Sequence, residues 1–248
     1  MALVEIRSVD RVCVLTLQRP EKLNALSTEL ERELREALAG PAVVEARCVV
    51  VAGAGRAFSA GADVNEFRGR DPAAIAAYYR ETGDVYERLA ALPQPTISAI
   101  HGYCLGGALE LALATDFRIA DETAQLGFPE AQLGLACGSG GIHRLVRIAG
   151  PARAKELLLL RPRFSAADAL AFGVVTEVVP EGEALDRALG LAGRLAELPP
   201  LAVTTIKQLA DVMPEASREA GILLERIGYG MLAQTPEADE AARAFTTK

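Results

Sequence analysis

Three stretches of this chain carry residues able to act on a carbonyl compound. The first is His101-Gly102-Tyr103-Cys104-Leu105-Gly106-Gly107-Ala108-Leu109-Glu110. Here an apolar strand feeds a glycine-bearing turn that opens a helix, which puts Gly107 in the first helical turn. Backbone N–H groups at that point have no intrahelical partner and carry the positive end of the helix dipole. Glycine also lets a ligand approach the backbone closely. Glu110 lies three residues on and projects on the same face as Gly107. An amide donor and a carboxylate facing one pocket can polarise a carbonyl and move a proton. The same residues also read as close-packing glycines and a first-turn acid set against the dipole, and local pattern leaves both open.

The second stretch, Arg56-Ala57-Phe58-Ser59-Ala60-Gly61-Ala62-Asp63, follows a buried strand. Its small residues leave backbone amides approachable, and Asp63 suits the N-cap of a following helix. Taken alone it also fits a plain strand-to-helix connection. The third is Gly127-Phe128-Pro129-Glu130, followed by a loop with Gly134, Gly138, Ser139, Gly140 and Gly141. A carboxylate in such an apolar neighbourhood has its pKa raised if buried, as acid–base work requires. An exposed loop glutamate is the alternative. Competing motifs are missing. Cys137 stands where a nucleophile elbow around Ser139 needs glycine, no phosphate-binding P-loop occurs, and Phe58 and His143 interrupt the two possible dinucleotide fingerprints.

The elements that must position these stretches follow from hydrophobic period and punctuation. Strands are expected at 12–17, 48–52, 96–100, 117–120, 124–128 and 174–179. Ser27 caps a helix over 28–38, with Leu30, Leu34 and Leu38 on one face. A helix over 72–92 ends at Pro93 and Pro95, and one from Gly107 runs through Ala114; from Gly141 onward the chain is mostly helical. This alternation predicts an α/β core over 1–180 and a helical C-terminal region over 181–248.

Composition narrows the function classes. The chain has 248 residues, half of them hydrophobic, with a formal net charge of −7. That suits a globular fold and gives no electrostatic reason to expect nucleic acid or an anionic membrane as partner. No apolar run reaches the ~20 residues that cross a bilayer, and the N-terminus lacks the order of a secretory signal. Cys13, Cys48, Cys104 and Cys137 are scattered, so reduced thiols in the cytoplasm are expected. With His101 and His143 far apart, no histidine-rich metal site is expected.

Together the three stretches resemble the crotonase (enoyl-CoA hydratase/isomerase) superfamily, in order and spacing, over essentially the whole chain. The resemblance begins at Arg19-Pro20-Glu21-Lys22-Leu23-Asn24-Ala25-Leu26. It continues through Ala57–Asp63, the Gly102–Glu110 turn, Asp116, Phe128-Pro129-Glu130 and Gly138-Ser139-Gly140-Gly141. It implies a spiral of ββα units with a C-terminal helical trimerisation region, assembled as a trimer or a dimer of trimers. It implies an oxyanion hole built from the N–H groups of Ala62 and Gly107, and an acyl-CoA thioester as substrate. Glu110 and Glu130 match the glutamate pair of the hydratases: the first would activate water for attack at C3, the second would protonate C2. Enoyl-CoA hydratase is therefore the expected activity. Double-bond isomerisation, acyl-CoA hydrolysis and a non-catalytic scaffold or RNA-binding role are the alternatives. Coenzyme A enters as part of the substrate, and no metal, flavin or nicotinamide is implied.

Further substrate contacts are carried over to Leu23, Ala25, Ala60 and Asp63, and to Gly106, Pro129, Leu135 and Gly138. Lys22 and Arg56 are the candidates for the nucleotide end, and Tyr78, Tyr79 and Leu135 for the acyl pocket. The chain departs from hydratases at Cys137-Gly138, where Pro-Gly is common, at Ile142-His143 in place of Thr-Gln, and in ending early at Phe245-Thr246-Thr247-Lys248.

Overall fold

The computed structural model describes residues 2–246. β1 (Val4–Val9) and β2 (Val12–Leu17) pair antiparallel around a turn in which Asp10 takes φ of 52°. A 3-10 turn leads to α1 (Thr28–Leu38), whose N-cap Ser27 accepts the Leu30 N–H at 3.2 Å. Such a cap contributes about 1 kcal/mol. After α2 (Pro41–Val44) the chain returns as β3 (Cys48–Gly53), parallel to β2. Three short helices follow, α3 (Val64–Phe67), α4 (Pro72–Glu81) and α5 (Val85–Ala90), before β4 (Thr96–Ile100).

The second half opens with β5 (Tyr103–Leu105), α6 (Gly107–Leu113), β6 (Phe117–Asp121) and β7 (Gln125–Gly127). Next come α7 (Gly141–Leu159), kinked at Gly150-Pro151, then β8 (Phe164–Ser165), α8 (Ala166–Ala171) and β9 (Glu177–Val179). The chain ends in α9 (Ala184–Ala196), α10 (Pro200–Val212), α11 (Arg218–Leu232) and α12 (Pro236–Thr246). Strands assemble into a six-stranded sheet ordered β1-β2-β3-β4-β6-β9, parallel beyond the first hairpin, and a three-stranded sheet ordered β5-β7-β8.

The large sheet is covered on both faces, which is why its central strands are continuous apolar runs. Successive side chains alternate between two cores. Leu15, Leu17, Val49 and Val51 pack with Leu30, Leu34 and Leu109 on one side. Val12, Val14, Cys48 and Val50 face Ala184, Ala188 and Ala192 of α9 on the other. The alanines recur every fourth residue, so α9 lays a flat stripe on the sheet. Asp116 ties α10 to that layer by accepting the Thr96 N–H at 2.7 Å and Lys207 Nζ at 2.8 Å.

Several elements depart from the sequence expectation. The helix expected over 72–92 is two helices. The Thr82 and Gly83 amides both turn back onto the Tyr78 carbonyl at 2.9 Å, and Gly83 fits where Tyr78 and Tyr79 crowd any side chain. β1 was not anticipated, because its alternation of Val4-Glu5-Ile6-Arg7 is short and, as an edge strand, it buries only Val4. β9 is shorter than 174–179, since the Val174 carbonyl is taken by the buried Arg118 Nε at 2.6 Å rather than by a neighbouring strand. Thr247 and Lys248 of the short C-terminal tail lie outside the described residues.

Candidate active site

Two unpaired backbone amides come together where the loop after β3 meets the start of α6. The loop is held by the segment 23–26. Leu26 N donates to the Gly61 carbonyl at 2.8 Å, Asp63 N to the Leu26 carbonyl at 2.9 Å, and Ala60 N to the Leu23 carbonyl at 2.9 Å. Ser59 pairs with Cys104 of β5, bringing the loop beside the Gly106-Gly107 turn. Gly61 has φ of 96°, and a side-chain carbon there would fall 3.5 Å from Gly107 N. Gly107 is the first residue of α6, so its N–H has no partner within the helix. Among the described residues neither Ala62 N nor Gly107 N donates a hydrogen bond. A side-chain carbon at Gly107 would project to 3.5 Å from Ala62 N, so glycine keeps the space between the amides clear.

Glu110 projects from the first turn of α6 and is buried. Its Oε1 accepts the N–H groups of Ser139 at 2.8 Å and Gly141 at 2.9 Å, where the loop enters α7. Glu130 comes from a 3-10 turn after Pro129, and its carboxyl lies against Gly106. Gly106 takes φ of 53°, and a side-chain carbon there would sit 2.7 Å from Glu130 Oε1. Glu130 Oε2 is buried with no hydrogen-bond partner. Burial pushes the Glu130 carboxyl above the usual carboxylate range; a backbone hydrogen bond opposes this and the Glu110 charge adds to it. One oxygen of each glutamate and the Cys137 sulfur lie within 4.8 Å of one another. These donors are near enough to share a cation, but burial, with Glu110 and Glu130 nearby, holds the Cys137 thiol protonated, and a thiol or neutral acid is a poor ligand.

The remaining candidates lie around this centre. Leu23 and Ala25 shape the wall beside Ala60, with the Ala25 carbonyl accepting Arg19 Nη1 at 3.0 Å. Asp63 caps α3 and pairs with Arg19 at 3.1 Å. Partial burial works against its charge, but hydrogen bonds from Arg19 and Asn65 outweigh it and hold the carboxyl low. Lys22 and Arg56 are exposed, and among the described residues neither forms an ion pair. Pro129, Leu135 and Gly138 lie on the loop that carries Glu130 towards α7, with Leu135 exposed. Tyr79 places its hydroxyl where a side chain at Gly138 would be, whereas Tyr78 is buried and bonded elsewhere. His143 is exposed, 3.6 Å from Glu215.

Two supporting roles were not read from the sequence, although Asn24 stands in the segment that opens the family resemblance. Asn24, with φ of 52°, is fully buried and donates to the carbonyls of Ala54 and Ala57 at 2.8 Å. It thereby fixes the loop that presents Ala62. Glu31 is buried on α1 and accepts the hydroxyls of Tyr78 at 2.5 Å and Tyr86 at 2.8 Å. Its position in register with Leu34 and Leu38 is the signal that could have exposed it. A separate cleft of about 900 Å³ lies between α10 and the ends of β6 and α6. Its basic groups are already paired, Lys207 with Asp116 at 2.8 Å and Arg144 with Glu87 at 2.7 Å, and it lacks the facing amides and carboxyls.

Aimed amides beside a carboxyl pair define a site for acid–base chemistry on a carbonyl compound. A profile of the family described as enoyl-CoA hydratase/isomerase matches residues 7–248. The chain is 38% identical over 241 residues to the 2,3-dehydroadipyl-CoA hydratase of Escherichia coli (strain K12), covering 96% of this chain and 93% of that protein. It is 37% identical over 244 residues to a probable enoyl-CoA hydratase of Rhizobium meliloti (strain 1021), covering 98% and 94%. The crystal structure of enoyl-CoA hydratase from Bacillus anthracis superposes with a TM-score of 0.92 at 34% identity, over 99% of this chain and 96% of that one. The chain belongs to the enoyl-CoA hydratase/isomerase family and has the crotonase fold.

Proposed function

We propose that this protein is an enoyl-CoA hydratase that adds water reversibly across the C2=C3 bond of a trans-2-enoyl-CoA. The observation that carries this is the contrast within the glutamate pair. Glu110 is supplied with two backbone donors, while Glu130 Oε2 is buried without one. The thioester carbonyl oxygen binds between the N–H groups of Ala62 and Gly107. Glu110 takes a proton from water as the water oxygen bonds to C3. The C2=C3 π electrons move towards the carbonyl oxygen, giving an enolate whose charge the two amides stabilise. One such donor is worth ~2.7–4 kcal/mol of barrier. The enolate then collapses, C2 takes the proton from Glu130, and the net change is one added water. Because the two carboxyls approach within 4.8 Å, a single bridging water can return the proton from Glu110 to Glu130. The scheme uses no metal or redox cofactor, and coenzyme A arrives with the substrate. Lys22 and Arg56 are free to meet its phosphates.

The working form is a homotrimer or a dimer of trimers, supported by apolar residues that α10 and α11 leave exposed, among them Ile206, Leu223 and Ile227. A cytoplasmic setting fits four unpaired cysteines. Among the described residues no helix is long and apolar enough to cross a membrane.

The test follows loss of the conjugated absorbance of crotonyl-CoA, with product identified as 3-hydroxybutyryl-CoA. Glu110→Gln and Glu130→Gln should each lower kcat by ~10²–10⁴ with little change in KM. Full activity in either variant, or a product with the double bond moved rather than hydrated, would remove the hydratase assignment.

A further inference from the structure

Glu31 is a deeply buried acid that the hydration steps leave unused. It is 2% exposed, and the groups facing it are the Tyr78 and Tyr86 hydroxyls and, further off, the carboxylates of Glu66 and Glu110. Arg70 packs over the Tyr78 ring at 5.9 Å and lies 3.9 Å from Glu66, but among the described residues no cation pairs with Glu31 itself. A buried carboxylate in such company is costly even with two phenols donating to it. The two phenols come from different helices. Tyr86, on α5, is fully buried and its hydroxyl reaches the amide pair: a side-chain carbon at Gly107 would fall 3.3 Å from Tyr86 Oη and 3.5 Å from Ala62 N. Tyr78, on α4, precedes Tyr79, whose hydroxyl lies against Gly138 in the loop that offers the Ser139 and Gly141 amides to Glu110.

We propose that Glu31 is a positioning residue: by accepting both hydroxyls it holds Tyr86 beside the Ala62–Gly107 amides and ties down the α4 helix, whose Tyr79 lies against the Glu110 loop. Glu31 touches no substrate and acts through the two tyrosines. The inference rests on the amide pair being the oxyanion-binding site. Stabilising an enolate needs donors fixed at the developing charge, and a misplacement of about 1 Å costs roughly 10²-fold in rate. Burial pushes the Glu31 carboxyl up to about 7, with the phenol hydrogen bonds opposing it. An acid raised in this way stabilises the fold least once it is ionised, above neutral pH. An amide at position 31 is therefore expected to leave the fold at least as stable at pH 8 while loosening the site.

The experiment compares wild type, Glu31→Gln, Tyr86→Phe and the double variant. Three quantities are measured at pH 8: kcat and KM with crotonyl-CoA, the melting temperature, and affinity for two ligands. The ligands are acetoacetyl-CoA, whose enolate puts negative charge on the thioester oxygen, and saturated butyryl-CoA. Each single variant should lose ~10- to 100-fold in kcat with KM nearly unchanged, and the double variant should be no worse than either. Acetoacetyl-CoA should bind more weakly in proportion, butyryl-CoA equally well, and Glu31→Gln should melt no lower than wild type. Unchanged kcat and enolate affinity, multiplicative losses, or loss of activity only in step with melting would overturn the proposal even in a wild type that hydrates. If wild type hydrates neither crotonyl-CoA nor longer, branched or aromatic enoyl-CoA esters, the hydratase assignment fails and the ratio of the two affinities alone decides the role of Glu31. Should Glu31→Gln fail to fold, Tyr86→Phe keeps the ring and carries the same readout.

Discussion

Glu110 and Glu130 are the same side chain in opposite surroundings. Glu110 reaches two amides at the mouth of α7, whereas Glu130 ends in a buried oxygen with no donor. Burial raises the Glu130 carboxyl, so it keeps its proton to higher pH than an exposed glutamate. In the proposed scheme hydration needs that proton, and kcat should fall as pH rises through the raised value. In a kcat–pH profile, this alkaline limb should be missing from the residual rate of Glu130→Gln. If the variant keeps the limb unchanged, some other group sets it. The stability sign runs the same way: the neutral form suits the buried site, so the Glu130 contribution is complete at low pH and lost as pH climbs.

Among the elements, the turn from β5 into α6 is the most constrained. Gly106 takes φ of 53° and ψ of −125°, and any side chain there would meet Glu130 Oε1 at 2.7 Å. Gly150, at the kink of α7, also has positive φ, but a side-chain carbon there would meet nothing within 4 Å. The pair separates backbone strain from displacement of the acid. Gly106→Ala and Gly150→Ala should each destabilise by about 1–3 kcal/mol. Only Gly106→Ala should also lower kcat, by roughly 10²-fold, because it moves a reacting group. Denaturant melts and crotonyl-CoA kinetics on both variants check this; equal activity losses would mean that Glu130 is not set by this turn.

At the scale of the whole molecule, the cores on the two faces of the sheet close by themselves, but the C-terminal helices do not finish their burial. α11 seats Gly221 near Met213 and Gly228 near Leu209, yet leaves Leu223 and Ile227 exposed at 57% and 59%. These two lie four residues apart on one face, the spacing of a helix that packs against something. If the proposed trimer packs through this face, Ile227→Asp should split it into smaller species by light scattering, since a charge buried at an apolar interface costs several kcal/mol. An unchanged mass would place the interface elsewhere.

Sequence alone reached the strands 12–17 and 96–100, the capped helix 28–38 and the family, because each rests on local period, a capping residue or a short motif in fixed order. The glutamates and small residues of the candidate site lie within those motifs, so their meeting in space was legible too. The break at Gly83 and the edge strand β1 were not, since neither a backbone turn onto the Tyr78 carbonyl nor a mostly exposed hairpin strand leaves a sustained apolar signal, and the shortening of β9 depends on Arg118, 56 residues away. The same holds for the supports. Asn24 holds carbonyls some 30 residues away, and Glu31 lies 47 and 55 residues from its tyrosines. Local sequence fixes which groups are present; only the tertiary structure decides that Glu110 meets two backbone donors while Glu130 ends in a buried oxygen with none, because those donors come from residues 29 and 31 positions further along the chain.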